Sequence, residues 1–324
     1  MNRQEKGGIR MYVLGVDVGA TKTECAITDE KESIMGRGFG GSGNYQVCGI
    51  EMAAASMKKA VFSALEEARL SLEDITCAVF GISGADGEED FQVLVPAVQK
   101  IMGKVKTKVL HDAWLGLRVG TTDYVGVVSI CGTGAGHVGR NRQGRELSLR
   151  NLDYNTGNYG GGNELERKAL HYAFRSEEGT WQKSRLEEAV PAVFGVEGME
   201  EVCAILRRDA MTKEQRYKLP ITVFTLAREG DEVSRSLLSS MGYEEGRYAA
   251  AVVKRLDMCG EAVPAVLIGS LFHTGEPLLI DAYMKALCET APKAYAVIPD
   301  TAPVMGAVKL AIDEAVRNTY GRQK

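Results

Sequence analysis

Two segments of this chain repeat one pattern: a β-branched apolar run, a turn of glycine and threonine, and a second short run leading directly away from it. The first comprises residues 11–18 (MYVLGVDV), the turn Gly19-Ala20-Thr21-Lys22-Thr23 and the run Glu24–Thr28. The second comprises residues 124–131 (YVGVVSIC), the turn Gly132-Thr133-Gly134-Ala135-Gly136 and His137-Val138-Gly139. Runs of this length and composition read as buried strands, and the turns make each pair a β-hairpin. The two hairpins stand about 115 residues apart, which is the organisation of two similar half-molecules. With 324 residues, 45% of them hydrophobic and 25% charged, the chain is long enough for two cores of common domain size.

The remaining periodicity supports a mixed sheet in each half. Ser33 to Gly38 supplies a third strand before the loop Gly40-Gly41-Ser42-Gly43-Asn44, and Ile50 to Arg69 carries an amphipathic helical pattern. A strand at Ala78–Ile82, a helix near Asp90–Met102, a strand at Thr107–Leu110 and a helix opened by His111-Asp112-Ala113 follow. Hairpin strands, helix, strand, helix, strand predict a mixed sheet faced by helices. Beyond the second hairpin and the turn Asn141–Gly144, the stretch from Glu164 to about Asp257 is mainly helical, most clearly at Thr222–Arg228 and Val233–Leu256. Ala265–Ser270 returns to a buried strand, Tyr295–Pro299 is a late strand and Pro303–Arg317 a closing helix.

Charge and cysteine usage narrow the function. A net charge of -4 with a pI near 5.8, and no run of five like charges, leaves no footprint for nucleic acid or an anionic membrane surface. No apolar stretch reaches the roughly 18 residues needed to cross a bilayer, and the N-terminal MNRQEKGGIR is polar, so the expected location is the cytosol. The seven cysteines are spread singly without a CxxC pair, as reduced, mostly buried thiols would be. Metal-ligand spacing of Glu and His, a Gly-x-Ser-x-Gly elbow and a Cys/His nucleophile pair are absent; Ser83 in Gly81-Ile82-Ser83-Gly84-Ala85-Asp86 has half an elbow only.

What remains is the chemistry of the turns. Backbone amides exposed by the first bend, with the Thr21 and Thr23 hydroxyls, can hold phosphate oxygens, and Asp17 can hold Mg²⁺ directly or through water. The bend is neither a P-loop nor a Rossmann turn. In the second turn glycines admit an anion close to the backbone and Thr133 adds a donor. Either turn alone is also compatible with a solvated hairpin; two in equivalent places point to a nucleotide gripped between two domains. Asp112, just past an apolar strand in Val109-Leu110-His111-Asp112, is either a helix N-cap or a general base that takes a proton from an attacking hydroxyl. His111 reads as structural.

These residues resemble the N-acetylglucosamine kinases and the related BadF/BadG/BcrA/BcrD ATPase family, from Gly15 to about Ala311. The markers are GVDVGATKT (Gly15–Thr23), Gly43-Asn44, GISGAD (Gly81–Asp86), HDA (His111–Ala113), SICGTGAG (Ser129–Gly136), LIGS (Leu267–Ser270) and PVMGAVKLA (Pro303–Ala311). The resemblance implies the α/β actin/hexokinase/Hsp70 superfold: two ribonuclease H-like lobes, each a mixed sheet flanked by helices, with the nucleotide in the cleft between them. One lobe is expected at residues 11–118, completed by 303–324, and the other at 119–302. It implies ATP contacts at Gly19, Thr21, Lys22, Thr23, Gly132, Thr133 and Gly134, an adenosine pocket at Gly269 and Ser270, and Mg²⁺ at Asp17. Asp112 becomes the catalytic base, with Asn44, Ser83, Gly84, Ala135 and Asn158 as further sugar contacts. The implied activity is transfer of the ATP γ-phosphoryl group to a hydroxyl of N-acetylglucosamine or a related amino sugar or hexose, in a homodimer.

One departure stands out. The family's GDEGSG-like loop aligns with Gly157-Asn158-Tyr159-Gly160-Gly161-Gly162, where the loop's aspartate has become Asn158. An amide can hydrogen-bond a sugar hydroxyl but cannot accept its proton or carry charge. Glu164 and Asp153 are the carboxylates near enough in sequence to compensate. Two alternatives follow: an ATPase activator of the 2-hydroxyacyl-CoA dehydratase type, which needs a cluster-binding cysteine, and a sugar or nucleotide sensor that kept the clamp and lost turnover.

Overall fold

In this computed structural model the structure describes residues 11–150 and 154–320. The chain order is β1 (Tyr12–Val18), β2 (Thr23–Thr28), β3 (Ile34–Gly40), α1 (Tyr45–Cys48), α2 (Ile50–Ala68), β4 (Ile75–Ile82), α3 (Glu88–Met102), β5 (Lys106–His111) and α4 (Ala113–Gly120). It continues with β6 (Gly126–Cys131), β7 (Ala135–Arg140), β8 (Glu146–Ser148), α5 (Gly161–Glu177), α6 (Leu186–Phe194), α7 (Met199–Arg207), α8 (Lys213–Arg228) and α9 (Glu232–Arg255). β9 (Pro264–Ile268), α10 (Pro277–Cys288), β10 (Tyr295–Val297) and α11 (Pro303–Tyr320) complete it. These elements form two compact units, one ending at Tyr124 and resuming at Pro299, the other Val125–Ile298. The boundaries fall a few residues from the expected 118/119 and 302/303, because Tyr124 packs edge-on against Trp114 of the first unit, ring centroids 6.3 Å apart.

The two sheets have the same topology. In the first the order is β3-β2-β1-β4-β5 and in the second β8-β7-β6-β9-β10. In each, the first three strands form an antiparallel meander and the last two run parallel to the third. The repeated hairpin of the sequence is therefore the same part of each sheet: β1–β2 closes at Val18↔Thr23 and β6–β7 at Cys131↔Ala135.

In the first unit apolar residues leave both faces of the sheet. One layer joins Leu14, Val16, Phe80 and Ile82 to α2 and α3, and the other joins Val13, Ala26 and Val79 to α4 and α11. Strand β3 has glycine at every second position, Gly36, Gly38 and Gly40, and these face the α2 backbone at Ala64, Ala60 and Ser56. A Cβ on Gly38 would lie 1.9 Å from the Ala60 carbonyl oxygen, so strand and helix meet without side chains between them. The second unit has one core, in which β6 and β9 pack with α5 to α10 around Val127, Leu165, Leu238, Val253 and Tyr283. Elements outside the expectations above include the four-residue α1, β8, only three residues long, and α10. The last carries Pro277 at its start and buries Leu279, Tyr283, Ala286 and Leu287 at helical spacing. No helix among the described residues is long and apolar enough to cross a membrane.

Candidate functional site

The first hairpin turn is tied down from two sides. Gly19 N–H donates to the Lys22 carbonyl at 2.9 Å, and Gly43 N–H donates to the Gly19 carbonyl at 3.0 Å, bringing the Gly40–Asn44 loop against the turn. Thr23 is fully buried and its hydroxyl donates to the Gly41 carbonyl at 3.0 Å, so it fastens the loop to the strand rather than facing outward. Thr21 and Lys22 remain exposed at the tip, Lys22 Nζ standing 3.4 Å from Glu24 Oε2. Asp17 lies at the end of β1. Burial pushes its carboxyl up to about 7, with the charges of Asp112 and Glu24 adding to the shift and Lys22 opposing it.

Beside it, Ser83 N–H donates to the Val18 carbonyl at 2.8 Å, which sets the Ile82-Ser83-Gly84 strand end next to the hairpin. Asn44 caps α1, its Oδ1 accepting from Gln46 N–H at 3.0 Å, while its Nδ2 reaches Ser83 Oγ at 3.4 Å. Gly84 packs on the Asn44 amide with φ +83°; a Cβ there would come within 3.1 Å of it. Asp112 occupies the N-cap position of α4 yet makes no capping hydrogen bond. Its Oδ1 is buried with no hydrogen-bond partner, although His111 Nδ1 is 3.1 Å away. That nitrogen accepts the Ala113 N–H at 3.1 Å, leaving Nε2–H to face Asp86 Oδ1 at 3.2 Å. Burial raises the Asp112 carboxyl, His111 opposes the rise and Asp86 adds to it. Burial lowers the His111 imidazole, but Asp112, Asp86 and Asp90 outweigh it and hold it above its ordinary range. A buried carboxylate oxygen free of donors, backed by an imidazole, is equipped to accept a proton.

A divalent cation fits the Asp17 position, since it would relieve the like charges that crowd this carboxyl. Among the described residues no group of three or more His, Cys, Asp or Glu could hold a metal by itself. One carboxylate completed by phosphate and water oxygens is the usual arrangement for Mg²⁺.

In the second unit the Gly132-Thr133-Gly134 turn is closed by Gly132 N–H donating to the Gly134 carbonyl at 2.9 Å. The first amides of α5 splint it from behind: Gly162 N–H donates to the Gly132 carbonyl at 2.7 Å and Asn163 N–H to the Thr133 carbonyl at 3.0 Å. Gly269, at φ +101°, sits on the Cys131 carbonyl, and the Ser270 nitrogen is 4.0 Å from the Cβ position of Gly132. Asn158 Nδ2 donates to the Ala135 carbonyl at 2.9 Å and its Oδ1 accepts the Tyr159 N–H at 3.1 Å. Both ends of the amide are thus committed to backbone. A cavity of about 360 Å³ beside the turn is lined by Gly134, Ala135, Asn158, Asn163, Glu164 and Arg167 among others. Glu164 is ion-paired with Arg167 there. Asp153 lies outside the described residues.

Residues 14–311 match the BadF/BadG/BcrA/BcrD ATPase family. The chain belongs to that family. The chain is 26% identical over 303 residues to the N-acetylmuramic acid/N-acetylglucosamine kinase of Clostridium acetobutylicum, covering 94% of this chain and 99% of the relative. It is 24% identical over 311 residues to the N-acetyl-D-glucosamine kinase of Dictyostelium discoideum, covering 93% and 97%. Among solved structures, a candidate N-acetylglucosamine kinase from Chromobacterium violaceum superposes with a TM-score of 0.71 at 20% identity, over 94% of this chain and all of that one. This BadF/BadG-type chain therefore has the actin-like two-sheet fold of that protein.

The expected site residues lie in two places. Asp17, Gly19, Asn44, Ser83, Gly84 and Asp112 gather around the first hairpin; Gly132, Thr133, Gly134, Ala135, Asn158, Gly269 and Ser270 gather around the second. Sequence reasoning passed over Asp86 and Asp90 and took His111 as structural. Asp90 caps the Asp86-Gly87 backbone with bonds of 2.9 and 2.7 Å, holding Asp86 where it meets His111. The adjacency of His111 to Asp112 was the available signal.

Proposed function

We propose that this chain is an ATP-dependent kinase that transfers the γ-phosphoryl group to a hydroxyl of N-acetylglucosamine or a related amino sugar. The observation that carries this reading is Asp112, a buried carboxylate whose Oδ1 has no hydrogen-bond partner, close enough to Asp17 for their charges to interact. Phosphoryl transfer asks little of a protein beyond positioning, charge neutralisation and a base for the attacking hydroxyl. Asp112 takes the proton of the sugar hydroxyl, His111 stands beside it on the Asp86 carboxylate, and Asn44 with Ser83 and Gly84 orients the sugar. Gly19, Thr21 and Lys22 in one unit and Gly132 to Gly134 in the other bind the phosphates, with Gly269 and Ser270 beside the adenosine. Mg²⁺ at Asp17 supplies neutralisation of phosphate charge when bound. The sugar class is supported by the two kinase relatives, each named for an N-acetylated amino sugar. In this reading the enzyme acts in the cytosol and assembles as a homodimer.

The deciding experiment is ADP release with Mg·ATP against N-acetylglucosamine, N-acetylmannosamine, N-acetylmuramic acid, glucosamine and glucose, with a control lacking sugar. Release that depends on an N-acetylated sugar is expected. Release independent of sugar would favour the ATPase activator, and sugar binding without release would favour the sensor; either overturns the kinase.

A further inference from the structure

Beneath the Gly132-Thr133-Gly134 turn lies a set of polar side chains that the proposed reaction leaves unused. Glu245 on α9 is 0% exposed, as are Ser129 and Cys131 on β6 and Tyr283 on α10, while His137 on β7 is 1% exposed. They form a continuous chain. Tyr283 OH lies 2.8 Å from Ser129 Oγ, Ser129 Oγ 3.0 Å from His137 Nδ1, and His137 Nε2 3.2 Å from Glu245 Oε2. The Cys131 thiol faces the same carboxylate, and the Tyr248 ring stacks 5.0 Å from His137. The imidazole stands between the two polar ends: Nδ1 is within hydrogen-bond distance of the Ser129 hydroxyl, and Nε2 approaches the carboxylate without the alignment of a hydrogen bond. Burial raises the Glu245 carboxyl, with His137 and Cys131 opposing. A fully buried acid in a binding domain needs such partners to be tolerated at all.

The position of Glu245 says what the chain holds. Gly160 is the N-cap of α5 with φ +128°, and a Cβ there would lie 1.8 Å from Glu245 Oε1, so the carboxylate fills the space a side chain would need. It therefore sits at the N-terminal end of α5, where the helix dipole favours negative charge. The amides one and two residues on, Gly162 and Asn163, are the ones that splint the Gly132 and Thr133 carbonyls. Ser129, Cys131 and His137 lie on the two strands that lead into and out of the same turn. One carboxylate thus touches both the helix end and the hairpin.

We propose that Glu245, oriented by His137, is a positioning residue that clamps the first turn of α5 to the glycine hairpin and so holds Thr133 and Gly134 in the conformation that binds nucleotide phosphates. This rests on the phosphate-binding role assigned to that hairpin above. Glu245→Gln keeps the shape but removes the carboxylate beside the imidazole, the thiol and the N-terminal end of α5. Ser129→Ala removes only the hydroxyl that orients His137.

The test is calorimetric binding of Mg·AMPPNP and of adenosine to the full chain and to Glu245→Gln, Ser129→Ala and Thr133→Ala. Glu245→Gln should weaken AMPPNP about tenfold, and Ser129→Ala about threefold, with adenosine held within about twofold in both. A general loosening of the unit would weaken both ligands together. If Thr133→Ala leaves AMPPNP binding unchanged, the phosphate role of the hairpin itself fails. If Thr133→Ala weakens AMPPNP while the other two variants bind it as the natural protein does, or lose both ligands in parallel, the clamp is overturned. Should Glu245→Gln fail to fold, Ser129→Ala decides by the same criteria.

Discussion

The two hairpins share a topology and differ in what surrounds their turns. Around Gly19–Thr23 stand carboxylates: Asp17, Glu24 and Asp112 interact electrostatically, and Asp86 backs the last of these through His111. The Gly132–Gly134 turn contains no acid; it is splinted by helix amides, and of the carboxylates near it Glu245 is sealed beneath and Glu164 is ion-paired with Arg167. In the proposed reaction, one topology used twice puts charge where a proton and a cation are handled, and rigidity where an anion is held. The difference predicts that changes at the first hairpin act on the chemical step and on pH dependence, and changes at the second on nucleotide affinity.

The sharpest break in that division is Asp112→Asn. Removing a general base should lower kcat by about a thousandfold, while the Kd for Mg·AMPPNP stays within about twofold, because the proposed role of Asp112 is toward the sugar hydroxyl and not the phosphates. Steady-state kinetics with the identified sugar, alongside calorimetry, measures both. A variant that retains near-normal turnover removes Asp112 from the role of base, and one that loses nucleotide affinity instead erases the contrast between the hairpins.

Asp17→Asn tests the electrostatic half of the comparison. The Asp17 carboxyl is pushed up to about 7 from its ordinary value of 3.8, so between those values the folded chain holds a proton there that the unfolded chain has released. Its contribution to stability is fully present below about pH 4 and is lost as pH rises through about 7. Replacement by the neutral amide should therefore stabilise the metal-free protein by about 4 kcal/mol at pH 8 and by nothing at pH 4. Urea unfolding at the two pH values reads the difference. Millimolar Mg²⁺ should stabilise the natural protein at pH 8 and leave the variant unchanged; equal response of both would take the cation away from Asp17.

How far these differences were legible follows from the length scale of each signal. The hairpins, the helix at Ile50–Ala68 and the mixed sheets could be read because periodicity and glycine turns are local. Strand β8 could not: Glu146-Leu147-Ser148 has no apolar run and exists only because β7 offers it an edge. Helix α10 was readable from Pro277 and its buried stripe, and was passed over. At the site, Asp17 and Asp112 stood in recognisable motifs. Asp86, 25 positions before His111 in the chain, joins it only through the parallel pairing of β4 with β5, which aligns Ile82 with His111. Glu245 lies in the middle of a helix reading SSMGYEEGRYAA, where a glutamate is ordinarily solvated; nothing local marks it as buried.

The smallest expected effect concerns Asn158, where the resemblance leads one to expect an aspartate. The departure looked like a loss of catalytic charge, but the structure places the amide between two backbone groups, donating to the Ala135 carbonyl and accepting from the Tyr159 N–H. An aspartate would keep the second bond and turn an oxygen toward the carbonyl in place of the first. Asn158→Asp should therefore cost about 1 kcal/mol, a fall of about 2 °C in Tm for a chain of this size, with AMPPNP affinity lowered by less than about fivefold. Differential scanning calorimetry and the same binding titration measure it. If the variant instead gains turnover on N-acetylglucosamine with no loss of stability, the second hairpin needs an acid as the first does. The contrast between a charged turn and a splinted one would then belong to this chain's substrate rather than to its fold.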